Sequence, residues 1–104
     1  MIDEARVEKA VNWLAEFAEH AAKARAEREY LTDYRKTLKA QIMREHEDKP
    51  LVAQEREAYA DARYVTHLEG LRAAAEADEL YRWRRVAAET IVSAWQSQSR
   101  MLKP

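Results

Sequence analysis

The sequence predicts an all-α protein, folded as one long antiparallel hairpin of two coiled-coil-like helices. Pro50 is the only proline before the last residue, and it directly follows the polar run of residues 45–49. Proline lacks an amide hydrogen and disfavours helical geometry in the residue before it. The chain on both sides is rich in Ala, Glu, Arg, Leu and Lys, which are good helix formers. We therefore expect one domain, residues 1–104, with helices at about 3–45 and 51–100 and a turn at about 46–50.

The first helix carries an apolar stripe that steps by alternating threes and fours, which is the heptad spacing of a coiled coil. Two of the stripe positions are arginines, Arg28 and Arg35. The full stripe is Val7, Ala10, Leu14, Phe17, Ala21, Ala24, Arg28, Leu31, Arg35, Leu38 and Ile42.

The second helix has a less regular stripe, and no single heptad phase holds along it. This drift predicts that the helix bends or changes partner near Gly70, the only glycine. Gly70 is either a tolerated weak point in the helix or a place where another backbone comes close. The stripe comprises Leu51, Ala58, Ala62, Val65, Leu68, Leu71, Ala75, Leu80, Trp83, Ala87, Ile91 and Ala94.

Charge predicts how the two helices lie. Residues 1–19 and 50–79 have net charges of −3 and −4, whereas residues 20–44 and 80–104 each have +4. An antiparallel hairpin places each negative quarter beside a positive one. In that arrangement Arg28 should face the neighbourhood of Glu69, and Arg35 that of Asp61, so that the polar interruptions of the stripe set the register.

The aromatic content predicts a homo-oligomer. A two-helix rod has one buried seam, yet the chain carries three tryptophans, one phenylalanine and five tyrosines. Apolar surface left uncovered on a monomer marks an association site. We therefore expect hairpins to pack together into a helical bundle.

Composition narrows the function classes. A net charge of −1 provides no general attraction to nucleic acid or to anionic membranes. No apolar run approaches the length of a membrane span, and the N-terminus lacks the pattern of a signal peptide. The absence of cysteine excludes disulfides and thiol chemistry. We expect a soluble cytoplasmic protein without membrane contact.

No catalytic or cofactor motif is recognisable, so we expect neither an enzyme nor a cofactor. None of the three histidines follows a glutamate at the spacing of di-iron helical proteins. Glu16 and His20 share a helix face and form either a weak metal-binding pair or, as we expect, part of an ion-paired face.

Two basic, aromatic-bearing patches remain. The stronger comprises residues 81–85 together with Trp95 and Arg100; the other comprises residues 34–36 with Lys39, near Tyr30. Arginines neutralise phosphates and aromatic rings stack on unpaired bases, so the first patch is a candidate site for nucleic acid or a protein partner. The alternative is structural, with Trp83 in the core near Trp13 or Leu14. The arginines would then pair with the acidic residues of the first helix, which are Glu4, Glu8, Glu16 and Glu19. The candidate binding residues are Arg82, Arg84, Arg85, Trp95 and Arg100.

The chain resembles small helical proteins encoded by tailed bacteriophages. The likeness lies in residues 8–15, 57–59, 68–74, 83–87 and 91–100, and its most distinctive element is the spacing of Ile91, Trp95 and Arg100. Genes for such proteins commonly lie near those for single-strand annealing recombinases and single-strand binding proteins. The resemblance implies a pathway, DNA recombination in the cytoplasm of the host cell.

Two hypotheses follow. The protein is either a recombination accessory, an oligomeric scaffold that assists an annealing or single-strand binding protein and contacts single-stranded DNA, or a structural coiled-coil adaptor without nucleic-acid contact. The acidity of the chain makes protein contact at least as reasonable as direct DNA contact.

Overall fold

The computed structural model describes residues 1–102, which contain three α-helices and no β-strand. Helix α1 spans Glu4–Arg44, α2 spans Leu51–Ala60 and α3 spans Ala62–Met101. Helix α1 packs along both α2 and α3. The contacts run in antiparallel order, from Ile2 with Gln98 at one end to Lys39 with Tyr59 near the turn. The molecule is therefore a rod, with principal extents of 78 × 21 × 14 Å.

The ends of α1 lie where the sequence predicts them. Asp3 caps the N-terminus, since its Oδ1 accepts a hydrogen bond from the Arg6 amide at 2.8 Å. The chain leaves the helix after Arg44 and turns through residues 45–50. The Pro50 carbonyl then accepts a hydrogen bond from the Gln54 amide and begins α2.

The second half of the hairpin is two helices, which corrects the prediction of one continuous helix. Asp61 has φ −68° and ψ 136°, an extended conformation that ends α2. Its side chain also caps α3 by accepting a hydrogen bond from the Arg63 amide at 2.8 Å. The break lies here and not near Gly70, because aspartate stabilises a helix start and competes with the helix backbone for hydrogen bonds.

Gly70 lies inside α3 with ordinary helical backbone. A Cβ atom placed on it would meet nothing within 4 Å. Within residues 1–102 no other backbone approaches this position, which favours the tolerated weak point of the two interpretations.

The heptad stripe predicted for α1 is confirmed, since every one of its residues is buried or half-buried. The most enclosed part lies near the turn, where Ile42 is 0% exposed. Leu38, Ala58 and Tyr64 pack with Ile42 to form the core cluster, flanked by Tyr34 and Met43.

The stripe predicted for the second half is wrong over much of α3. Val65, Leu68, Leu80 and Trp83 are exposed. Other members of the predicted stripe, namely Leu71, Ala75, Ile91 and Ala94, are half-buried. The residues that face α1, which we call the inner stripe, follow heptad spacing from Tyr64, three residues after the break, with a gap at the exposed Arg85, and they include small and polar side chains. They are Tyr64, His67, Leu71, Ala74, Asp78, Tyr81, Ala88, Val92, Trp95 and Ser99.

The predicted partners of the seam arginines also need correction. Arg28 forms ion pairs with Asp78 and Glu79, about two and a half helical turns beyond Glu69. Asp61, expected near Arg35, forms its ion pair with Arg63. Arg28, a polar residue within the apolar stripe, nevertheless pairs with acidic residues of the other long helix, as the charge pattern predicts.

Helix-to-helix ion pairs are concentrated in the half of the rod nearer the turn. Arg28 and Lys39 of α1 reach acidic residues of α3 and α2. Among residues 1–102, no ion pair joins the first quarter of the chain to the last quarter. There the side-chain amide of Gln98 accepts a hydrogen bond from the Ile2 amide and donates one to the Ile2 carbonyl. Of the two predicted pairings between oppositely charged segments, the described chain therefore forms ion pairs only between residues 20–44 and residues 50–79.

None of the helices in residues 1–102 is long and apolar enough to cross a membrane.

Candidate interaction surface

Helix α3 presents a row of large apolar side chains to solvent. We call this row the outer face of α3 and define it as Val65, Leu68, Leu80, Trp83 and Val86. Trp83 is the most open member, at 60% exposure. Helix α1, of similar length, exposes only Val11 and Tyr30 among large apolar residues. Of the two long helices, α3 therefore carries more of the exposed apolar surface, and the short helix α2 also exposes Leu51, Val52 and Tyr59.

The outer face exists because α3 carries two apolar stripes. Its inner stripe contains small and polar residues such as Ala74, Asp78 and Ala88, which suffice against an alanine-rich partner helix. Further large apolar side chains, among them Leu80 and Trp83, fall on the opposite side of the helix. Heptad spacing places a residue such as Trp83, two positions after Tyr81, on the side away from α1.

The arginines at 82, 84 and 85 lie beside Trp83 and are exposed. The Arg82 guanidinium lies 5.4 Å from the centroid of the Trp83 ring, and its Nη1 is 3.4 Å from Glu79 Oε2. The nearest carboxylate oxygen to Arg85 Nε is Glu89 Oε1, at 4.0 Å. Arg84 forms no ion pair with residues 1–102.

The structural alternative for this patch is wrong as stated. Trp83 points to solvent and not into the core near Trp13 or Leu14. Arg82 and Arg85 pair with acidic residues of their own helix, not with the glutamates at the start of α1. The patch is therefore an accessible surface, in which the Arg82 guanidinium makes a cation–π contact with the Trp83 ring.

The structure does not bring all five predicted site residues together. Arg100 is exposed in the last turn of α3, about 24 Å along the helix from Arg84. Trp95 is half-buried at an inner-stripe position, one turn before the Gln98 that bonds Ile2. Only Arg82, Arg84 and Arg85 share a neighbourhood with an exposed aromatic ring.

The second predicted patch is occupied by contacts within the hairpin. Lys39 Nζ donates a hydrogen bond to the Tyr59 hydroxyl at 2.8 Å and lies 4.6 Å from the centroid of that ring. This hydrogen bond raises the pKa of Lys39. The Tyr34 ring stacks on Tyr30 and lies 5.5 Å from His67. These groups hold α1 against α2 and α3, so the patch is a poorer candidate for an external ligand.

An open groove of about 920 Å³ runs between α1 and α3 in the middle of the rod. Its apolar part includes Trp13 and Phe17, whose rings stack with centroids 5.5 Å apart. Its charged part contains both signs, and Arg28 in it is already bonded to Asp78 and Glu79. The groove therefore offers no concentration of one charge to attract an ionic ligand.

The ion pairs at Arg28 shift the pKa values of Arg28 and Glu79. The hydrogen bonds that Arg28 donates to Glu79 and Asp78 raise the pKa of Arg28 above its ordinary value. Arg28 in turn lowers the pKa of Glu79. These groups thus stay charged over the neutral range and hold α1 to α3 electrostatically.

Glu16 and His20, the weak metal-binding pair, gain no third ligand. The described part of the chain holds no group of three or more His, Asp or Glu residues that could bind a metal ion. The His20 ring instead lies 5.5 Å from that of Phe17.

Comparison with known proteins adds no identification, since no protein-family model, curated protein or solved structure matches this chain. The sequence did not indicate the outer face as a unit, because four of its five members, Val65, Leu68, Leu80 and Trp83, were predicted to lie in the seam with the first helix. Heptad spacing from Tyr64 to Ser99, with an interruption at Arg85, is the signal that separates the two stripes.

Proposed function

We propose that the protein is a non-enzymatic helical scaffold that works as a homo-oligomer, assembled through the outer face of α3. The observation that carries this proposal is the exposure of Trp83 with its apolar neighbours on one side of a hairpin whose other helix has a largely polar surface.

Energetics supports a protein partner for this face. Full burial of one exposed large apolar side chain contributes about 1.5–3 kcal/mol. The five outer-face side chains are 38–60% exposed, so covering them would contribute roughly half of that amount each. The hairpin itself has a small core, in which Ile42 is the largest fully buried side chain. Covering the outer face would add apolar burial that one hairpin cannot provide.

The shape supports a scaffold. A rod 78 Å long and at most 21 Å across has a large surface for its mass, and its long helices hold distant points at a fixed separation. Such a rod is suited to spacing or joining partners.

Sedimentation equilibrium over a range from nanomolar to high micromolar protein tests the scaffold proposal. We expect a reversible oligomer whose mass rises with concentration and whose thermal midpoint rises with it. Trp83→Ala should shift the mixture toward monomer without loss of helical circular dichroism, whereas Tyr30→Ala, a similarly exposed aromatic on α1, should not. A wild-type monomer over the whole range would refute the proposal.

A second candidate is supported by the basic groups around Trp83. In this version the protein is a bacteriophage DNA-recombination accessory in the host cytoplasm, assisting a single-strand annealing or single-strand binding protein. The exposed ring of Trp83 and Arg84, which has no ion pair within residues 1–102, are the groups that would contact single-stranded DNA. Arg82, Arg85 and, at the end of the helix, Arg100 would add phosphate contacts.

Fluorescence anisotropy with a labelled single-stranded oligonucleotide at low salt tests the second candidate. We expect binding that weakens as salt rises, and a smaller salt dependence in the Arg84→Ala, Arg85→Ala double variant. The Lys23→Ala, Arg25→Ala double variant removes two exposed positive charges from α1 and serves as the matched control. No binding at low salt, alone or with an annealing protein, would refute the DNA-contact version.

A further inference from the structure

The apolar residues of the outer face repeat along α3. Val65 and Trp83 are 18 residues apart, and so are Leu68 and Val86. Eighteen residues make five turns of an α-helix, so each pair points in the same direction with a separation of about 27 Å along the axis. Four of the five outer-face residues thus form two equivalent apolar clusters, Val65 with Leu68 and Trp83 with Val86, and Leu80 lies between the clusters in sequence.

Between the two clusters lies an ion pair that carries no net charge. Arg72 Nε is 3.4 Å from Glu76 Oε1, and both side chains are exposed. Arg72 and Glu76 therefore add no net charge to the middle of the face, and together they do not repel a second helix laid along it.

The spacing is compatible with its own twofold rotation. The midpoint of residues 65 and 86 coincides with that of residues 68 and 83, between Ala75 and Glu76. A second copy turned about an axis at this midpoint would place Val86 opposite Val65 and Trp83 opposite Leu68, twice each. Self-complementarity of this kind is the requirement for a symmetric dimer interface.

The free charges beside the stripe obey the same symmetry. Successive residues of an α-helix are rotated by about 100°, which places Glu69 and Arg84 on the same side of the line from Val65 to Trp83. Neither residue forms an ion pair with residues 1–102. The twofold rotation brings Arg84 of one copy within about 3 Å, measured along the axis, of the level of Glu69 in the other. A parallel pairing would set Arg84 against Arg84 and Glu69 against Glu69, which is unfavourable.

We propose that two copies of this chain pair through their α3 outer faces, antiparallel, about a twofold axis between Ala75 and Glu76. The product is a row of four helices with the two α3 helices in the middle and the α1 helices outside. This inference rests on the proposed self-assembly and specifies its surface, direction and register.

Cysteine cross-linking tests the register directly, because the chain contains no cysteine. Glu76→Cys places a thiol next to the proposed axis, and mild oxidation should link two copies. Thr90→Cys is the matched control on the same side of α3, since its two copies would lie about 40 Å apart in the antiparallel dimer. In a parallel pairing Thr90→Cys would cross-link as readily as Glu76→Cys, and that result would overturn the proposal.

Charge exchange tests the proposed contact between Glu69 and Arg84. Glu69→Arg and Arg84→Glu should each raise the dissociation constant several-fold, and the double variant should restore it to within about twofold of wild type. Circular dichroism checks that each variant is helical. A monomeric wild type would end both this inference and the scaffold proposal. A stable oligomer without the Glu76→Cys cross-link and without rescue would end this inference alone.

Discussion

Arg28 of α1 bridges to two consecutive acidic residues of α3: its Nη1 lies 3.1 Å from Asp78 Oδ2 and 3.0 Å from Glu79 Oε1. Arg28 occupies a heptad position on the inner stripe of α1, and Asp78 occupies one on the inner stripe of α3. A polar group inside an otherwise apolar seam is satisfied in one alignment only. The contact therefore sets the register of the two long helices.

The Arg28 bridge predicts a specific pattern of rescue. Arg28→Glu should lower the thermal midpoint because it places three carboxylates together, and the Arg28→Glu, Asp78→Arg double variant should recover much of the loss. Arg25→Glu, which breaks an exposed pair within α1, should have a smaller effect. Rescue of Arg28→Glu by Glu69→Arg in place of Asp78→Arg would contradict the observed register.

The cluster near the turn predicts where truncation is most costly. Ile42→Ala should reduce the free energy of unfolding by about 2–5 kcal/mol, because Ile42 is fully buried against Leu38, Ala58 and Tyr64. Leu51→Ala, at 64% exposure in the first turn of α2, should change it by less than about 0.5 kcal/mol. Urea titration of both variants at equal protein concentration compares them, and equal effects would show that the cluster is not the main core.

Gly70→Ala should stabilise the protein. The backbone at Gly70 is helical and the added methyl group meets no atom within 4 Å, so the expected gain is about 0.5–1 kcal/mol from the difference in helix propensity. Thermal unfolding at matched concentration measures the change. A loss of stability would mean that a second molecule lies close to Gly70.

Arg63 predicts how stability responds to acid near the helix break. Its side chain lowers the pKa of Asp61 below the ordinary 3.8, and that of Glu45 below the ordinary 4.5. A carboxylate whose pKa is lower in the folded protein contributes stability above its unfolded pKa, and that contribution is lost as pH falls through the folded pKa. We therefore expect this contribution to decline from about pH 4.5 downward, with none of the change near neutrality.

Asp61→Asn isolates the charge, because asparagine retains the oxygen that caps α3. The variant should be less stable than wild type at neutral pH, and the gap should narrow as the pH is lowered toward 3. Chemical denaturation at a series of pH values measures it. A gap that stays constant with pH would show that Arg63 does not depend on the Asp61 charge.

The seam of α1 could be predicted from the sequence and that of α3 could not. In α1 the apolar residues and the buried positions coincide, as Val7, Leu14 and Ile42 show. In α3 large apolar residues lie on both faces: Leu71 and Trp95 are half-buried on the inner stripe, whereas Leu80 and Trp83 are exposed. Hydrophobicity reports which face is apolar, and it does not report which of two apolar faces meets the partner helix.

The candidate surface was predictable in part for the same reason. Consecutive residues 81–85 point all round a helix, so the sequence identifies a basic and aromatic segment without the direction of each side chain. The structure separates Trp83, which faces solvent, from Tyr81, which is half-buried toward α1. Trp95, placed in the same patch by its residue type, lies on the inner stripe.

The sequence alone determined that the chain is helical, that α1 ends near Arg44 with α2 beginning after Pro50, and which residues of α1 face inward, because these depend on local propensity and on one periodic pattern. Only the tertiary structure decided the break at Asp61, the pairing of Arg28 with Asp78, and the choice of face that α3 turns to α1. These depend on how two helices fit along their whole length. A single apolar pattern does not specify that fit, because α3 carries large apolar residues on two faces.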